Sequence, residues 1–172
     1  MRRRISYVFP KKSFTNKTPK SVFANNLKMT LFGEQNKRET TMITAHVSEQ
    51  PFDHLKLYSD FLERETDATG TVVLHHGRVK RPGKKVPDFS TVELKPLVDD
   101  ADSRLAAIAR SAEEKFNLNQ VLIVHRLGMI GAGDSVLLAI VSGKTRDICF
   151  AACSWIVDEV KKEEFIVLIE HP

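Results

Sequence analysis

The chain is poor in the residues that most often declare a function. Its 172 residues include two cysteines and one tryptophan, and no apolar run reaches 18 residues. A run shorter than that cannot cross a bilayer as a helix. Residues 1–30 also lack the continuous apolar stretch of a secretory signal. Cys149 and Cys153 stand four apart in an apolar helical pattern, too few for the disulfide framework of a secreted domain. They read as small side chains on a buried face. These absences together predict a cytoplasmic, reducing location. No Cys-x-x-Cys and no His-x-x-x-His occurs, and no metal site is expected. His75-His76 and His125-Arg126 fall at strand ends, where adjacent residues face opposite sides, so neither pair forms a bidentate site. Gly128, Gly131 and Gly133 precede a strand rather than a helix, which excludes a phosphate-binding fingerprint and leaves a turn. No internal repeat is visible.

Charge is present but segregated. Residues 1–42 hold ten Lys/Arg against two Glu, with no acid before Glu34, while residues 43–172 hold sixteen against twenty. The high overall pI therefore belongs to the leader, and nucleic-acid binding by the fold is not expected. Residues 1–41 admit three readings: an organelle transit peptide, a basic tail for an anionic partner, or a disordered extension, for instance from an upstream start codon. The third is preferred, because patterned sequence begins near Met42. The domain is then 42–172.

Within it the hydrophobic period switches regularly. Ile43 to Val47 alternates like a strand. Phe52, Leu55, Leu57, Tyr58, Phe61 and Leu62 recur at helical spacing behind Asp53. Thr71 to His76 is β-branched and strand-like, and Thr91 to Leu97 is a further short strand. Between them, residues 78–90 form a basic loop with Pro82, Gly83 and Pro87, expected to be mobile. Asp99, Asp100 and Asp102 lead a helix with Leu105, Ile108, Ala109, Ala112 and Phe116 on its apolar face. Val121 to Leu127 and Ser135 to Ser142 predict a hairpin around the glycine turn. Residues 147–162 form a third helix, and Phe165 to Ile169 a last strand. This order predicts a single α+β domain with mixed or antiparallel sheet and three main helices.

What remains for chemistry is a set of cations on separate elements: Arg78, Lys80, Arg81, Arg126, Arg146 and Lys161. Arginine forks and lysine point charges suit a small phosphorylated anion. Arg146 stands at a helix entrance, where backbone N–H groups also favour anions. Lys161 and Lys162 stand at the same helix's exit, where the helix dipole alone would account for them.

From about Ile43 to Glu170 the chain resembles the large, catalytic subunit of molybdopterin synthase. The resemblance rests on Gly70-Thr-Val-Val-Leu-His-His-Gly77-Arg-Val-Lys80, similar to the family's GAVVxFxGxVR, on Val124-His-Arg-Leu-Gly128, and on Gly133-Asp134. It continues through Lys144-Thr-Arg146, Phe150, Ile156, Asp158 and Lys161. The resemblance implies an α/β-hammerhead-like fold and a sulfurtransferase of molybdenum cofactor biosynthesis, with no bound cofactor. A small ubiquitin-like partner would present a C-terminal Gly-Gly thiocarboxylate, and its sulfur would pass to cyclic pyranopterin monophosphate. The large subunit would be a homodimer, with one small subunit at each end. By position Lys161 would be the catalytic lysine, and Thr145, Arg146, Lys80 and Arg78 would bind substrate.

Three departures at expected active-site positions accompany these matches. Thr145 stands where the family has histidine, Lys80 where it has arginine, and Leu168 where it has a second active-site lysine. They keep open an alternative, a weakened or inactive homologue that serves as a dimeric scaffold for the small partner. Geometry adds a constraint of its own. Fifteen residues of helix span about 22 Å at ~1.5 Å per residue, so Arg146 and Lys161 of one chain cannot share a pocket. If both touch substrate, two protomers must build it.

Overall fold

The computed structural model describes residues 41–162 and 164–172. The expected leader, 1–41, lies outside the described residues but for Thr41. In chain order the elements are β1 (Met42–Ser48), α1 (His54–Leu62), β2 (Thr71–Arg78), β3 (Thr91–Pro96), α2 (Ala101–Phe116), β4 (Gln120–Arg126), β5 (Gly128–Ile130), β6 (Ser135–Gly143), α3 (Arg146–Val160) and β7 (Ile166–His171).

Four strands make the main sheet in the order β1-β4-β6-β2, with β1 parallel to β4 and the other pairs antiparallel. The helices cover it on both sides. On one face Val121, Ile123, Ala139 and Val141 pack with Leu105, Ala109 and Ala112 of α2 and with Cys149, Ala152 and Ile156 of α3. On the other, Leu122, Val124, Leu138 and Ile140 pack against Phe61 of α1. Coverage on both faces explains why β4 is buried along its whole length and reads as a continuous apolar run rather than an alternation. The domain is α+β, with three helices and mixed and antiparallel sheets, as the hydrophobic periods predict.

The helix ends follow local chemistry. Asp53 caps α1 by accepting from the Leu55 and Lys56 N–H groups at 3.0 Å each. Asp102 instead ties α2 to β1, accepting from the Val47 N–H at 2.6 Å. Cys149 and Cys153 are buried free thiols. Burial pushes both upward in pKa, Cys153 to about 11, so neither is a reactive thiolate.

Two expectations change. The hairpin of β4 and β6 forms, with His125 opposite Leu137, but its connection is more than a turn. Gly128–Ile130 is a strand that leaves the main sheet and pairs with β3, which also pairs with β7, giving a second antiparallel sheet in the order β5-β3-β7. Positive φ at Gly128 and Gly133, 87° and 91°, lets the chain step out and return.

The loop expected to be mobile is pinned. Phe89 is buried, and Arg81 donates to its carbonyl and lies over its ring. The Glu170 carboxylate, from β7, accepts from the backbone N–H groups of Lys84, Lys85 and Val86 at 2.6–2.7 Å. Gly83 makes room for this, since a Cβ there would stand 2.8 Å from the carboxyl carbon.

Candidate active site

The two sheets meet at a cleft of about 720 Å³, at the end of β2 and the C-terminal end of α3. That volume suits a small ligand. Lys161 caps α3, its N–H closing on the Val157 carbonyl at 3.0 Å, and it borders the cleft. Among the described residues its ammonium has no hydrogen-bond or ion-pair partner. Lys80 and Arg78 border the same cleft. Arg78 is partly committed, because its Nε donates to the Gly133 carbonyl at 2.7 Å. The irregular register between Gly77 and Arg78 turns it that way.

Among the described residues Glu170 is the only carboxylate on the cleft wall, and its oxygens are already engaged. The Val86, Lys84 and Lys85 N–H groups hold its pKa below the usual carboxylate range. The remaining ionisable groups on the wall are cations and imidazoles, so the cleft attracts an anion.

The structure removes other candidates. Arg126 is buried, and its Nη1 donates to the carbonyls of Ser48, Glu49 and Leu127. It holds the β4 exit to the loop after β1. Arg81 is engaged by Phe89, as above. Lys162 does not border the cleft; it pairs with Glu159, which raises its pKa.

Thr145 and Arg146 lie at the far end of α3. Thr145 is the N-cap, extended in backbone but making no side-chain cap bond, so the first-turn N–H groups are left without one. Arg146 is exposed, and its one ion pair among the described residues is with Asp147, at 3.5 Å between two solvated side chains. Such a pair contributes little. One turn on, Phe150 is 62% exposed. The structure thus brings Lys161, Lys80 and Arg78 together and leaves Thr145 and Arg146 apart.

His75, His125 and Glu170 also line the cleft but were not among the expected site residues, the two histidines having been set aside as metal ligands. The His125 Nδ1 donates to the Arg126 carbonyl at 2.8 Å, which leaves Nε2 without a proton. Burial lowers the pKa of His125, against that hydrogen bond. The available signal was period two: Val73, His75 and Gly77 must share the α3 face of β2.

Residues 47–163 match the family model described as MoaE protein. The chain belongs to the MoaE family. It is similar to the molybdopterin synthase catalytic subunit of Pyrococcus abyssi, 34% identical over 99 residues, covering 56% of this chain and 65% of that protein. Against the catalytic subunit of Haemophilus influenzae it is 28% identical over 123 residues, covering 72% and 80%. Its fold is similar to the crystal structure of molybdopterin synthase from Staphylococcus aureus, with a TM-score of 0.63 at 24% identity over 73% of this chain and 89% of that one. These matches place this MoaE chain in molybdenum cofactor biosynthesis. Among the described residues no helix is long and apolar enough to cross a membrane, and no group of three or more His, Cys, Asp or Glu could hold a metal ion.

Proposed function

We propose that this chain transfers sulfur from the C-terminal thiocarboxylate of a small ubiquitin-like partner to cyclic pyranopterin monophosphate, forming the dithiolene of molybdopterin. The observation that carries the reading is the Lys161 amine. It ends a helix, has no partner among the described residues, and opens on a cleft where the only carboxylate among the described residues is already engaged by backbone N–H groups. Lys80 and Arg78 supply positive charge for the substrate phosphate, and Lys161 handles the thiocarboxylate or moves the proton. The MoaE relatives support the assignment, as does the likeness in fold to a complex of subunits 1 and 2 of molybdopterin-converting factor from Helicobacter pylori (TM-score 0.60, 14% identity, 74% of this chain and 83% of that one).

Arg146 completes the site from a second copy of the chain. The helix length forbids it from reaching Lys161 within one protomer. Phe150, exposed one turn from Arg146, gives that end of α3 an apolar contact for a symmetric partner. The working unit is then a homodimer with a small subunit at each end, in the cytoplasm.

Leu168 favours the second reading, a dimeric scaffold that binds the small partner without turnover. It lines the cleft where the family pattern has a lysine. Incubation with a thiocarboxylated small subunit and cyclic pyranopterin monophosphate decides between the two. Dithiolene product supports transfer; tight partner binding with no product selects the scaffold.

A further inference from the structure

His75 is a cleft group that the sulfur-transfer reading leaves without a task; it stands where the family pattern has phenylalanine, so its role is particular to this chain. On β2 it stands opposite Ala139, and Gly77 stands opposite Leu137, with His125 of β4 on the other side of Leu137. All lie on the α3 face of the sheet. The His75 Nε2 is 3.2 Å from where a Cβ on residue 77 would be, so the ring leans along its strand over Gly77. A side chain at 77 would displace it. His75 has no hydrogen-bond partner among the described residues and is half-buried. The neighbouring His125 is nine-tenths buried, with one nitrogen already committed to the Arg126 carbonyl. Of the two imidazoles, His75 is the one a water in the cleft can reach.

Sulfur transfer from an acyl donor leaves one problem. Once the thiocarboxylate sulfur has bonded to the pterin, the partner's tail is still joined to that sulfur through its carbonyl carbon. We propose that His75 is the general base that brings water onto that carbon and frees the tail; this rests on the sulfur-transfer reading. The water oxygen bonds to the acyl carbon as the carbon–sulfur bond breaks. The bonding pair stays on sulfur, which remains on the pterin as a thiolate. One water proton goes to His75 Nε2 and the other to solvent, and the tail departs as a carboxylate. No oxidant or reductant is needed.

The surroundings keep the imidazole in its basic form. Lining the cleft with it are Lys161 from the end of α3, His125 from β4, His76, Arg78 and Lys80 from the β2 end, Lys84 from the loop, and the ionised Glu170 from β7. Burial first, then the Lys161 charge, lowers the His75 pKa below the ordinary histidine value. Tail release should therefore hold its rate as pH falls to about 6.5, where a free imidazole is half protonated, and decline only below.

The test separates the two steps with the full chain, a thiocarboxylated small subunit and cyclic pyranopterin monophosphate. Intact-mass spectrometry follows the covalent partner–pterin adduct. In His75→Ala the adduct should form and accumulate, with release slowed about 100-fold, and imidazole added to the buffer should restore release. His75→Gln, closer in size, should slow release without the rescue. Release at the wild-type rate in both variants would overturn the proposal, as would equal slowing of adduct formation and release with no imidazole rescue. A wild-type chain that forms neither adduct nor product removes the function itself, which is a different outcome. A readout independent of turnover is the NMR titration of His75. Its pKa should rise in Lys161→Met, and an unchanged value would show the two groups do not interact.

Discussion

The two ends of α3 both carry cations, in opposite circumstances. At the C-terminal end Lys161 faces a cleft built by β2, β7 and the pinned loop, beside His75, His125 and Lys80. At the N-terminal end Thr145, Arg146 and Phe150 are exposed, and among the described residues Arg146 pairs only with a solvated Asp147. One end borders a cleft within the chain; the other is surface. A solvated cation and an exposed large apolar side chain on one helix turn contribute little to the fold of the monomer. Their arrangement makes sense if the surface is finished by another copy, whose own cleft they complete.

The comparison breaks first at Lys161. Lys161→Ala should cost product formation on the order of 10²- to 10⁴-fold. It should leave the melting temperature unchanged, because the side chain makes no contact in the described residues that the fold needs. Unaltered turnover would move the chemistry elsewhere.

The next effect is structural. A Cβ on Gly70 would stand 2.2 Å from the Lys144 carbonyl oxygen, backbone against backbone. Gly70 also donates to the Gly143 carbonyl at 3.0 Å. Gly70→Ala must therefore push away the segment that leads into Thr145 and Arg146. Overpacking of this kind costs about 1–3 kcal/mol, or roughly 3–10 °C in melting temperature for a domain of this size. A thermal melt unchanged from wild type would mean that this segment is loosely held. The smallest effect belongs to the pinned loop. Glu170→Gln keeps the shape but weakens acceptance from three N–H groups, so hydrogen exchange at residues 84–86 should speed up and KM for the pterin phosphate should rise. Exchange rates equal to wild type would show that the carboxylate does not hold the loop.

Much of this was legible before any coordinates. The switch between period two and period 3.6 located the long strands and all three helices, because each buries one face against a neighbour. Burial of Cys149 and Cys153 followed from the same pattern, and the separation of Arg146 from Lys161 needed only the helical rise. The parts that escaped are decided across long stretches of chain. β5 is three residues long, and its pairing with β3 depends on where the second sheet sits, not on its own propensity. The loop at 78–90 carries every local mark of mobility, yet Glu170, more than eighty residues away, holds it. His75 looked like half of a rejected metal pair, since nothing local shows that its face opens on Lys161 rather than on packed core.

Mixed dimers test the two-ended account most directly. Lys161→Ala and Arg146→Ala chains should each be inactive alone. Re-paired at random, half of the dimers are mixed, and each mixed dimer regains one of its two sites if the cations come from opposite protomers. The account predicts recovery to about a quarter of wild-type product formation. A mixture that stays as inactive as its components, or an Arg146→Ala chain that works unaided, would contradict it.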